Sequence, residues 1–77
     1  MKELIESIVR ALVDNPEQVE VQEVIGERAH VLELRVAKSD LGKVIGKSGA
    51  HAAALRTLMN AASGKNKRRY ILDIVED

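Results

Sequence analysis

Two glycines three residues apart, Gly46 and Gly49, stand between two stretches of helical apolar spacing and dictate the middle of the fold. On the N-terminal side Leu41, Val44 and Ile45 give a short amphipathic turn, with Ser39-Asp40 placed to cap it. On the C-terminal side Ala52, Leu55, Leu58, Met59 and Ala62 form a stripe through residues 50–62, a run rich in alanine, the best helix former. Glycine takes positive φ at no steric cost and ends helices, so one helix stops at Gly46 and another opens after Gly49. A helix, a tight loop and a second helix are fixed before anything else is read.

The flanking residues supply a sheet. Residues 2–13 carry Leu4, Ile5, Ile8, Val9 and Leu12 on one helical face, and Asp14-Asn15-Pro16 ends that helix. Residues 19–25 read as a strand in which Val19 and Val21 alternate before the pattern breaks to Val24 and Ile25, which suggests an irregularity near Glu23. After a turn at Gly26-Glu27, residues 30–36 set Leu32, Leu34 and Val36 against Val31, Glu33 and Arg35. Residues 63–67 read as a loop, and residues 69–75 set Tyr70, Leu72 and Ile74 against Ile71, Asp73 and Val75. The order is α-β-β-α-α-β, an α+β class with three helices packed on one face of a three-stranded sheet. No repeat or linker divides the chain, so residues 1–77 are expected to form a single domain.

A domain of 77 residues buries roughly 60% of its unfolded surface, so its stability is modest. With 45% hydrophobic and 31% charged residues it is too apolar for a disordered tail. There is no cysteine, which removes disulfides and thiolate metal sites and suits the cytoplasm. Glu6, Ser7 and Arg10 interrupt the first apolar run, so neither a signal-peptide core nor a membrane span is expected. His30 and His51 have no cysteine or paired carboxylate at ligand spacing, and no cofactor, metal or catalytic activity is expected. Gly42-Lys43-Val44-Ile45-Gly46-Lys47-Ser48 approaches the phosphate loop of nucleotide hydrolases, but has three residues between its glycines where that motif needs four.

Net charge is zero, which alone argues against a polyanionic partner. Its distribution argues the other way. Residues 1–34 hold three basic and eight acidic side chains, whereas residues 35–69 hold nine basic ones against Asp40 alone. The segregation fits a basic face for nucleic acid, and it also fits solvated surfaces that happen to differ along the chain. Within the basic half, Lys47 puts a positive charge between the glycines, Lys43 lies one turn back and Ser48 offers a hydrogen bond. The following helix points its free N–H groups to the same place. These are the parts of a phosphate-backbone clamp; an ordinary helix corner, in which glycine only permits the bend, uses the same residues.

The stretch Asp40-Leu41-Gly42-Lys43-Val44-Ile45-Gly46-Lys47-Ser48-Gly49 resembles the signature of the KH domain family, in which an apolar pair precedes a G-x-x-G loop carrying a basic residue. The element order resembles the type II, prokaryotic arrangement over essentially the whole chain, closest to the small bacterial single-KH RNA-binding proteins. The resemblance implies a mixed sheet with residues 30–36 central, residues 19–25 antiparallel and residues 69–75 parallel to them. It implies a narrow groove for about four nucleotides of single-stranded RNA. Gly46, Lys47, Ser48 and Gly49 would meet the phosphates, flanked by Lys43 and Ala50, while Val44 and Ile45 would line an apolar floor under the bases. Lys65, Lys67 and Arg68 correspond to the variable loop on the far side of the groove. Members often carry a basic or polar residue just after the second glycine and a bulky aliphatic two positions on; Ala50, His51 and Ala52 stand here, implying a weaker clamp and a shallower floor. His51 reads either as an RNA contact from the first helical turn or as a surface histidine without a task.

Other RNA-binding folds stack bases on exposed aromatic rings, and Tyr70 is the single aromatic residue, itself read as part of the core or edge of the last strand. Because one KH groove holds few nucleotides, a homodimer or a heteromer with another KH protein is expected, acting as a bacterial post-transcriptional regulator or RNA chaperone. The alternative is a protein-interaction adaptor with incidental RNA binding, since fold and function separate easily. In that case the acidic first half offers a protein-facing surface.

Overall fold

Alternating side chains build three strands, β1 (Glu20–Ile25), β2 (Ala29–Arg35) and β3 (Arg69–Ile74), which lie in that spatial order in a computed structural model describing residues 1–64 and 69–76. β1 runs antiparallel to β2 through a tight turn in which the Gly26 N–H donates to the Ala29 carbonyl at 2.9 Å, and β3 runs parallel to β2. The helical patterns give α1 (Lys2–Leu12), α2 (Leu41–Ile45) and α3 (Ala50–Ser63), with short 3-10 turns at Pro16–Gln18, Lys38–Asp40 and Lys47–Gly49. Element order, strand directions and the mixed sheet are those expected of a type II KH fold.

One face of the sheet, bearing Val21, Leu32, Leu34 and Leu72, closes on Ile5 and Val9 of α1, Val44 of α2, and Leu55 and Met59 of α3. None of these side chains is more than 4% exposed. Burial of each contributes about 1.5–3 kcal/mol, and in so small a core no single one is dispensable.

Two expectations need correction. The β1–β2 register runs without a skipped residue from Glu20 opposite Arg35 to Ile25 opposite His30, so there is no irregularity at Glu23. Glu23 takes an inward position because a polar partner waits there: its carboxylate lies 2.7 Å from Nδ1 of the buried His30, whose ring tilts against Tyr70 with centroids 5.1 Å apart. Val24 consequently faces outward, in one row with Val31 and Ile71. On α3 the buried line is Ala52, Leu55, Met59 and Ser63, while Leu58 is 47% exposed and Ala62 is exposed. The helix meets the sheet along positions spaced three and four apart from Ala52, which turns Leu58 out toward Ile8 and Leu12 of α1. Among the described residues no helix is long and apolar enough to cross a membrane.

Candidate nucleic-acid interface

The glycine loop is aimed by α2, a helix too short to hold its own direction. Asp40, fully buried at its start, does not cap it. The carboxylate instead accepts hydrogen bonds from the backbone N–H groups of Asp14 and Asn15 at 3.2 and 3.0 Å and from Nδ2 of Asn15 at 3.1 Å, fastening α2 to the corner after α1. Lys43 donates to Asp14 and lies 3.8 Å from Asp40. Burial pushes the Asp40 carboxyl up, but the hydrogen bonds from Asn15 and Asp14 and the Lys43 charge outweigh it and hold the pKa below its ordinary value. The hydrogen bond to Asp14, against a smaller cost of desolvation, holds the Lys43 ammonium above its own.

Beyond Ile45 the chain makes three positive-φ steps in four residues, Gly46 at +77°, Ser48 at +57° and Gly49 at +76°. Two of the loop's amides are spent inside the turn: Gly46 N–H donates to the Gly42 carbonyl at 2.9 Å and Gly49 N–H to the Gly46 carbonyl at 3.1 Å. Those of Lys47 and Ser48, both exposed, have no partner among the described residues. They sit just ahead of α3, where the helix presents its positive end.

The loop opens onto a groove of about 390 Å³ between α3 and β3, floored by Ile45, Ala52, Leu72 and Ile74 and walled by Arg56, Asp73 and Glu76. Past Arg56 and Leu72 it continues into a hollow of about 230 Å³ bounded by Asn60, Arg69, Tyr70 and Ile71. β3 pairs with β2 on one side only. Val75 N–H donates to the Leu34 carbonyl at 2.9 Å, so by the alternation of a parallel ladder the backbone groups of Leu72 and Ile74 point to the open side, along this trough. Arg56 and Arg69 make no ion pair among the described residues.

The residues expected from the sequence separate. Gly46, Lys47, Ser48, Gly49 and Ala50 form one continuous turn, of which Gly49 lines the groove, and Ile45 lies on its floor. Val44 does not line it. That side chain is 0% exposed in the core, and Leu72 and Ile74 of β3 supply the apolar surface in its place. Lys43 has its charge committed to Asp14 and Asp40. Lys65, Lys67 and Arg68 lie outside the described residues. Sequence reasoning missed Arg56, Asn60, Arg69, Asp73 and Glu76. For Arg56 a signal existed, since Gly49, Ala52 and Arg56 follow one another at helical spacing along a single face of α3.

Comparison with known proteins places the chain in a family. The family described as KhpA/KhpB, KH domain, matches residues 2–74. The chain is 52% identical over 75 residues to the RNA-binding protein KhpA of Caldanaerobacter subterraneus subsp. tengcongensis, covering 97% of this chain and 100% of the relative. It is 49% identical to the RNA-binding protein KhpA of Clostridium acetobutylicum with the same coverage, and 46% identical to that of Aquifex aeolicus over 99% of this chain and 96% of the relative. No solved structure matches.

Proposed function

The chain belongs to the KhpA/KhpB KH-domain family, and from that membership and the shape of the glycine loop we propose that it binds RNA by gripping a short single-stranded segment. It is a binding module and not an enzyme. In this reading the Lys47 and Ser48 amides donate to a phosphate, assisted by the Lys47 ammonium and the positive end of α3. About four nucleotides follow the trough. Their bases rest on Ile45, Leu72 and Ile74, the open edge of β3 offers N–H and C=O groups to base edges, and Arg56 and Arg69 meet later phosphates. The observation that carries the reading is the pair of unpartnered amides at Lys47 and Ser48, standing at the head of an apolar-floored groove.

So short a footprint gives weak affinity, and joining grooves multiplies it. The proposal therefore includes a second KH domain, from another copy or another KH protein, and a cytoplasmic role as a post-transcriptional regulator or RNA chaperone. The adaptor reading has one observation in its favour, an apolar hollow of about 190 Å³ between α1 and α3 lined by Ile8, Leu12, His51, Ala54, Leu55 and Leu58.

Fluorescence anisotropy with a labelled single-stranded oligoribonucleotide tests the proposal. If about three phosphates are neutralised, log affinity falls with log salt at a slope of roughly −2. Replacing Lys47 and Ser48 together by Asp abolishes binding while circular dichroism stays unchanged. Wild-type affinity in that double variant removes the loop from the site, and absence of RNA affinity in the unmodified protein at low salt leaves the adaptor reading standing.

A further inference from the structure

In an uninterrupted helix the Lys47 N–H would donate to the Lys43 carbonyl four residues back. Here the chain turns away at Gly46, and that carbonyl, one of the orphans at the end of α2, is reached instead by Nδ1 of His51 at 2.6 Å. A carbonyl only accepts, so Nδ1 carries the proton. The same ring stands against the first glycine: a Cβ on Gly46 would come within 2.7 Å of the His51 Cγ. One side chain from the first turn of α3 thus reaches back across the loop and closes its base.

We infer that His51 is a positioning residue for the RNA-binding loop: bonded to the Lys43 carbonyl and packed against Gly46, its ring holds the chain in the turn away from α2, keeps the Lys47 amide from completing another helical turn, and so leaves that donor open to a phosphate. The inference rests on the RNA-binding reading for its ligand, whereas the clasp itself is a property of the free chain. Without the imidazole, the Lys43 carbonyl is free to take the Lys47 N–H, α2 lengthens by one residue, and the donor must be released before it can bind. A preformed open donor avoids that cost. The exposed position of His51 keeps it out of the core, so its effect is on the loop rather than on global stability.

The test compares the unmodified protein with His51→Ala, His51→Asn and His51→Gln, by anisotropy with a labelled eight-nucleotide single-stranded RNA over a salt series and by NMR amide exchange at Lys47. An asparagine amide can place an N–H near the position of Nδ1–H; glutamine carries it one atom too far. His51→Ala and His51→Gln are expected to lose about tenfold in affinity, the worth of one such hydrogen bond, and His51→Asn to stay within about threefold. The salt slope stays the same in all four proteins, because no phosphate-neutralising charge changes. Lys47 amide exchange slows in His51→Ala. Unchanged affinity in His51→Ala, asparagine no better than glutamine, or a flattened salt slope overturns the inference, the last because the ring would then be touching phosphate itself. If the unmodified protein binds no RNA, the functional reading fails separately, and equal Lys47 exchange in the unmodified protein and His51→Ala overturns the clasp on its own.

Discussion

The backbone N–H and the side-chain Nδ2 of Asn15 both donate to one oxygen of Asp40, at 3.0 and 3.1 Å, across 25 residues of sequence. With the Asp14 amide on the other oxygen, this makes a buried carboxylate the joint between α1 and the helix that carries the glycine loop. A helix of five residues, too short to hold its own direction, is thereby given a fixed heading.

The joint makes stability acid-sensitive. Folding lowers the Asp40 pKa, so its contribution is fully present above the unfolded value of about 3.9 and is lost as pH falls through the lower folded value. Thermal melts between pH 6 and 2 are expected to show Asp40→Asn less stable than wild type at pH 6, with the difference narrowing toward pH 2. A gap independent of pH would mean that the charge of Asp40 contributes nothing. Lys43 acts at the other extreme: its raised pKa supplies stability that is present below about 10.4 and is lost as pH rises through the folded value.

The two loop glycines are required for different reasons, and alanine separates them. Gly46 has φ +77° and ψ 170°, a region essentially confined to glycine, and its added Cβ would strike His51. Gly46→Ala is expected to cost about 2–3 kcal/mol in urea denaturation. Gly49 is left-handed with φ +76° and ψ 15°, and nothing lies within 4 Å of an added Cβ, so Gly49→Ala costs about 1 kcal/mol and Gly49→Asn less. Equal costs at the two positions would refute this division.

Much of this was legible in the sequence because periodicity is a local property. The order of elements and the inward positions of β2 and β3 follow from alternation alone. What misled was chemistry between distant residues. Glu23 looked like a break because its partner His30 belongs to the next strand, and Asp40 looked like a helix cap because Asn15 lies 25 residues away. Lys43 counted as a loop cation for the same reason, Asp14 being out of view. The trough was half visible: the glycine loop is contiguous, whereas Arg56, Leu72 and Ile74 reach it only when α3 folds beside β3.

The neighbours Val44 and Ile45, equally apolar in sequence, are expected to fail in opposite ways. Val44 is 0% exposed in the core, and Val44→Ala costs about 2 kcal/mol of stability through lost burial and the cavity left behind. Ile45 is half-buried on the groove floor, so Ile45→Ala costs less stability but weakens RNA binding in the folded protein. Denaturation and anisotropy on both variants decide the matter, and the assignment of the floor is wrong if the two behave alike.

Arg56 provides the sharpest separation of the trough from the rest of the basic surface. The residue borders both parts of the groove and makes no ion pair among the described residues, so truncation removes no structural partner and should leave the melting temperature nearly unchanged. If it neutralises one phosphate of a bound single strand, Arg56→Ala lowers affinity roughly three- to tenfold at low salt and reduces the salt slope by about 0.7. Lys38, exposed in the turn before α2 and outside the trough, serves as the control of equal charge. Were binding a diffuse attraction to the basic half of the chain, Lys38→Ala and Arg56→Ala would weaken it alike; a strand that runs from the glycine loop along β3 requires that only Arg56 change the slope.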